Sequence, residues 1–209
     1  MLFLPIWAAL SATLVVAIPP ISSEQVHLGD TGKTSSTEIG DGPFSHNNVT
    51  LGPVPKAEQI YETDDLDITP FPIIPNRHTY ILVSGRLPSP RTSGIRDLEA
   101  ALTKATLNIT LSRVRSDGKI DDPGSEVMPL KAFRDNAGVG QLAIRHTNGT
   151  YVDYLPGTGD SEVLAEFTIP GMYVVTGQYK FDIVARLGDE NNTCLVAFSH
   201  TQWLEGTWG

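Results

Sequence analysis

The run Gly177-Gln178-Tyr179-Lys180-Phe181-Asp182-Ile183-Val184-Ala185-Arg186 decides the fold class. Tyr179, Phe181, Ile183 and Ala185 alternate with Gln178, Lys180, Asp182 and Arg186. That period of two belongs to a strand with one face buried and one face wet. A breaker run, Gly188-Asp189-Glu190-Asn191-Asn192, follows, and residues 193–201 form a second β-rich run. Two such runs across a tight turn predict an antiparallel hairpin.

The same period recurs upstream. Ala105, Leu107, Ile109 and Leu111 share one side of a predicted strand, and Thr106, Asn108, Thr110 and Ser112 share the other. Residues 60–70, 79–87, 141–145, 150–155 and 163–169 read as further strands, and residues 128–133 as a weak one. Asn148-Gly149 marks a hairpin turn. The prolines of the segment 70–75 hold it extended, and Pro88, Pro90 and Gly94 break the strand before them. Ile95, Leu98 and Leu102 lie at helical spacing and predict a short helix over 95–103. Roughly eight short strands with turns between them indicate an all-β fold, a two-sheet antiparallel sandwich or a barrel.

Export is the expectation for the N-terminus. Residues 2–17 are almost wholly apolar, and small residues Val15 and Ala17 suit cleavage after Ala17. The chain then divides into a signal peptide (1–17), a flexible Ser/Thr/Gly-rich leader (18–55) and a β-domain (56–209). The leader is too poor in large apolar residues to offset its ordering entropy. Sequons at Asn48, Asn108, Asn148 and Asn191 point the same way, to a glycoprotein secreted or held in the lumen of the secretory pathway, the vacuole included. Cys194 is the single cysteine, so no intramolecular disulfide can form and the fold rests on its core. A buried place in the last strand suits that thiol.

Charge excludes one class of partner. Fifteen Lys+Arg against 24 Asp+Glu give a net charge of −9, which phosphate backbones repel, so nucleic acid is not an expected partner. The five histidines, His27, His46, His78, His146 and His200, are not at metal-ligand spacing and read as exposed. No nucleophile elbow, phosphate loop or zinc-protease helix occurs. The cluster Asp64-Asp65-Leu66-Asp67 lacks calcium-loop spacing. Glu162, Glu166 and Asp153 are the one candidate carboxylate set for glycoside chemistry. The residue reading thus expects no catalytic residue, cofactor or metal.

One resemblance is carried by short stretches. Leu66-Asp67-Ile68-Thr69-Pro70-Phe71-Pro72, then Tyr80-Ile81-Leu82-Val83-Ser84-Gly85-Arg86-Leu87, resembles the opening of the ML lipid-recognition domain. Ile169-Pro170, Thr176-Gly177-Gln178-Tyr179 and Cys194 resemble its close. The wording of residues 170–203 is most similar to fungal secreted members of that family, which includes Niemann-Pick-type sterol and phosphatidylglycerol/phosphatidylinositol transfer proteins. The family typically carries several disulfides, and here only the position resembling its last cysteine is filled.

The resemblance implies an immunoglobulin-like sandwich whose sheets part around an apolar cavity. It implies a non-enzymatic, monomeric carrier of a sterol or phospholipid, in transient contact with membranes. The expected cavity walls are the inward positions Ile81, Val83, Leu107, Ile109, Leu111, Phe167, Ile169, Tyr179, Phe181 and Ile183. Two alternatives stand beside it: a structural or adhesive sandwich with a packed core, and a carbohydrate-active sandwich enzyme.

Overall fold

The computed structural model describes residues 49–121, 123–134 and 140–207. The expected signal peptide, the leader up to the sequon at Asn48, two histidines (His27 and His46) and Trp208 lie outside them. The described residues form strands β1 (Thr50–Leu51), β2 (Glu62–Thr69), β3 (His78–Arg86), β4 (Thr106–Val114), β5 (Gly124–Pro129), β6 (Phe133–Arg134), β7 (Gly140–His146), β8 (Tyr151–Val152), β9 (Asp160–Thr168), β10 (Gly177–Arg186) and β11 (Cys194–Leu204). Two short helices, α1 (Ser89–Thr92) and α2 (Leu98–Thr103), lie between β3 and β4.

All pairings are antiparallel. One sheet runs β1-β11-β10-β4-β5. The other runs β2-β3-β9-β7-β6, with β8 also paired to β7. The chain is an all-β sandwich, as its alternation predicts. Register explains why the two inner faces are continuous. Phe181 pairs with His200 on one side and Leu111 on the other, and Ile183 pairs with Phe198 and Ile109. Directly opposed residues share a face. In the second sheet Val83 pairs with Leu66 and Val163, and Val163 with Ile144. Leu66, Ile68, Ile81, Ile144, Phe181 and Phe198 from the two sheets join one core cluster.

Four expectations change. The fold starts before Lys56: Thr50–Leu51 pairs with β11, and the Gln59 amide bonds both the N–H and the carbonyl of Ala197. This segment covers the open edge of β11, which would otherwise present unpaired backbone. Residues 70–75 are a loop rather than an extended run, with cis bonds before Pro70 and Pro72. The weak strand at 128–133 is replaced by β5 and β6, both largely exposed edge strands with little hydrophobic pattern to read. Pro88 and Pro90 begin a helical turn: Pro88 is the residue before α1 and Pro90 lies within its first turn, where a missing N–H costs nothing. The predicted helix is present as α2, capped by Asp97, whose carboxylate accepts from the Ala100 N–H at 3.0 Å.

Candidate functional site

The ten expected wall residues divide by strand. Ile81 and Val83 on β3, with Tyr179, Phe181 and Ile183 on β10, are buried at 8 % exposure or less. Leu107, Ile109 and Leu111 on β4, with Phe167 on β9 and Ile169 just after it, pack against that core but are only partly buried. Val163 and Ala165, the other inward apolar residues of β9, are partly exposed too. The inward apolar residues of β4 and β9 are therefore partly exposed, whereas those of β2, β3, β7 and β10 are buried.

Three clasps tie the β2–β3 loop and the chain entering β2 to the sheets. The Gln202 side chain donates to the Ile73 carbonyl at 2.8 Å and accepts from the Ile73 N–H at 2.9 Å. The Tyr61 hydroxyl donates to the Ser161 carbonyl at 3.1 Å and bonds the Ser161 hydroxyl at 3.1 Å. Burial holds the Tyr61 phenol protonated and pushes its pKa up to about 12. Ile60 and Tyr61 donate their N–H groups to the Cys194 and Leu195 carbonyls. These contacts tie the loop before β3 onto β11, and the chain entering β2 onto both β11 and β9. One end of the sandwich is plugged beneath α2 by Leu102, Leu155 and Leu187, all 4 % exposed or less.

The opposite end is apolar and open to water. Phe71 and Ile74 in the β2–β3 loop are each 39 % exposed. Met172, Tyr173 and Val175 in the β9–β10 loop are 61 %, 44 % and 53 % exposed. The two loops are joined. Asn76 donates its backbone N–H to the Ile169 carbonyl, and its side-chain oxygen accepts from the Gly171 N–H at 2.8 Å.

The polar candidates are distributed elsewhere. Glu162 and Glu166 lie on the outward face of β9 by register. Glu162 is ion-paired with Arg145; Glu166 bonds Gln141 and lies 2.8 Å from His78 Nδ1. Asp153 lines a separate surface groove of about 330 Å³ with Glu99, His146 and Tyr154. The three carboxylates are not brought to one cleft. Asp65 and Asp67 flank the fully buried Leu66 on the outward side of β2. Asn108 faces outward on β4 and accepts from the Ser125 hydroxyl at 2.7 Å; Asn148 and Asn191 are exposed in turns. Cys194 is a buried free thiol, under Val54 with Val184 and Ala197 on the outer face of its sheet. Burial raises its pKa. Trp203 is 59 % exposed.

One histidine does not fit the solvated reading. His200 is 2 % exposed and faces inward on β11. Its ring stacks on Phe181 at 6.1 Å between centroids and meets the Phe71 ring edge-on at 5.1 Å. Parity would have shown this, because His200 falls on the same side of β11 as Phe198 and Gln202.

No family model matches the chain, and no curated protein matches it. Among solved structures, the chain is similar to the alkylpurine DNA glycosylase AlkC of Pseudomonas fluorescens, solved bound to DNA containing an abasic-site analog. The identity is 15 % and the TM-score 0.38, over 71 % of this chain and 31 % of that one. The chain thus spans about a third of that protein's length, and a likeness of this size carries no functional argument.

Proposed function

We propose that the protein is a non-enzymatic, secreted lipid carrier of the ML type that holds a sterol or phospholipid between its two sheets. The observation that supports this is that apolar side chains of β4 and β9 face the interior yet remain partly exposed. Sheets packed face to face lie about 10 Å apart and are normally filled by side chains from both. Partly wet inward side chains mark the side where an apolar guest completes the packing. Burying about 400 Å² of ligand surface at about 25 cal/mol per Å² yields roughly 10 kcal/mol gross, before the entropy of association is subtracted.

The joined apolar loops suit transient contact with a bilayer. Aromatic and aliphatic side chains insert at the headgroup boundary, and a chain of net charge −9 favours zwitterionic over anionic surfaces. The test is uptake. Delipidated protein is titrated with a fluorescent sterol and a labelled phosphatidylcholine, and transfer between zwitterionic vesicles is followed. Saturable binding of either lipid at micromolar concentration is expected; binding of neither refutes the carrier.

A further inference from the structure

The groove of about 330 Å³ at the α2 end of the sandwich is a second concave site, outside the interior between the sheets. Glu99, Leu102 and Thr103 of α2 form one bank, and the chain from Val152 to Thr158 forms the other. The floor is apolar: Leu102 and Leu155 are 1 % and 4 % exposed. Backbone contacts hold the far bank. The Ala132 N–H donates to the Asp153 carbonyl at 2.7 Å, and Lys131 and Tyr154 form a β-bridge. Ligand pockets run from roughly 300 to 1,000 Å³, so a groove of this volume suits one small molecule.

The rim carries charge of one sign. Glu99 and Asp153 line the groove, and no lysine or arginine does. Other carboxylates of the surface are paired: Glu62 with Arg86, Glu162 with Arg145 and Asp182 with Lys180. Neither the Glu99 nor the Asp153 carboxylate has an ion-pair or hydrogen-bond partner among the described residues. Lys131 is turned to the Tyr154 ring instead, its ammonium 5.4 Å from the ring centre. The Glu99 carboxylate is seated against bare backbone, because a Cβ at the buried Gly157 would lie 2.5 Å from its Oε1. Glu99, Asp153 and His146 do not form a metal-ligating group. The complement of this rim is therefore an organic cation rather than a bare metal ion.

We propose that the groove binds a small primary amine carried on an apolar body. The ammonium pairs with Glu99 beside Gly157, Asp153 adds a second negative charge to the same rim, and the body covers Leu102 and Leu155. An ammonium only donates and a carboxylate only accepts, so the pairing is charge-assisted. The net charge of −9 raises the local concentration of cations at the rim. This site is separate from the interior cleft and does not rest on the carrier reading.

Benzylamine and benzyl alcohol test it, because they share an apolar body and differ in the ammonium. The full chain is titrated with each by calorimetry at about 20 mM and about 500 mM salt. Three variants are run beside it: Glu99→Gln, Asp153→Asn, and Asp117→Asn, which removes the same charge from the β4–β5 turn outside the groove. All three positions are exposed, so the variants should fold. Benzylamine should bind about five- to tenfold more tightly than benzyl alcohol at low salt, and the preference should shrink at high salt. Glu99→Gln and Asp153→Asn should each weaken the amine about three- to fivefold and leave the alcohol unchanged; Asp117→Asn should change neither. Equal binding of the two compounds overturns the proposal, as does binding of neither in the millimolar range. Equal losses in all three variants also overturn it, by assigning the preference to diffuse attraction towards an acidic chain. Glycerophosphoethanolamine sets a phosphate beside its ammonium. Binding of it as tight as that of benzylamine would assign the groove to a lipid head group and overturn the apolar body.

Discussion

Raising the pH through the titration of Tyr61 should loosen the clasp between β9 and the chain entering β2. The phenol is 4 % exposed and bonded to Ser161. Burial is the main cause of its raised pKa; Asp64, Asp160 and Glu162 raise it further, while the Ser161 hydroxyl bond opposes them. The folded-state value of about 12 stands against an ordinary value of 10.0. Between those two pH values the unfolded chain loses its phenolic proton and the folded chain keeps it. Fewer protons on the unfolded state means that stability falls as pH rises. The contribution is fully present below pH ~10 and fades towards pH ~12, by roughly 2–3 kcal/mol at about 1.36 kcal/mol per unit. Urea unfolding at pH 8, 10 and 11.5 measures this, with Tyr61→Phe as reference. The variant should be about 1 kcal/mol less stable at pH 8, from lost hydrogen bonding, and should then fall less steeply. Tyr80, whose pKa is also raised, by burial first and by Glu166 second, is common to both proteins and cancels. Parallel losses in the two proteins would refute the assignment.

Four other outcomes follow from named contacts. Ala165→Phe should block sterol uptake with little change in melting temperature, because the new ring fills an opening; in a solid core the same ring would destabilise by about 1–3 kcal/mol. Gly85→Ala should destabilise by about 2 kcal/mol or more in urea titrations, since its Cβ would lie 2.1 Å from the Glu62 carbonyl oxygen. Cys194 should react with a disulfide reagent at pH 8 only at the rate of unfolding, because its thiol is buried and its pKa raised; labelling faster than global opening would contradict that. Ile74→Asp with Met172→Asp should slow lipid transfer between zwitterionic vesicles while leaving uptake of micellar sterol unchanged.

The fold was legible where one face is buried and the other wet. The β10–β11 hairpin and β4 declare their inward sides by alternation alone, and the register joins those sides across three strands. Edge strands were harder. β5 pairs with one neighbour, and Ser125, Val127 and Pro129 are exposed on it, so its sequence carries no period. The turn at Ser89–Thr92 was hidden because Pro90 reads as a breaker unless the start of a helix is already known. The ten wall positions were legible as inward-facing. Their division into packed and partly open was not, because period reports which side a residue faces and not how far the opposite sheet stands. His200 was missed for a different reason: residue type was weighed above parity.

That division has a cause in side-chain length. A gap of about 10 Å closes only where side chains from both sheets together span it. On the clasped side β10 and β11 supply Tyr179, Phe181 and Phe198, and these meet Leu66, Ile68, Ile81 and Val83 in one cluster. On the other side β9 supplies the shorter Val163 and Ala165, and these, like Leu107 and Ile109 of β4, are only partly buried. Gln59 and Gln202 tie the chain before β2 and the β2–β3 loop to β11, and the Tyr61 hydroxyl ties the chain entering β2 to β9. Each clasp is a buried hydrogen-bonded group that would cost about 1–3 kcal/mol to leave unsatisfied. Under the proposed carrier reading, breaking these fastenings to pack the interior with protein alone would incur such costs, whereas an apolar guest would not.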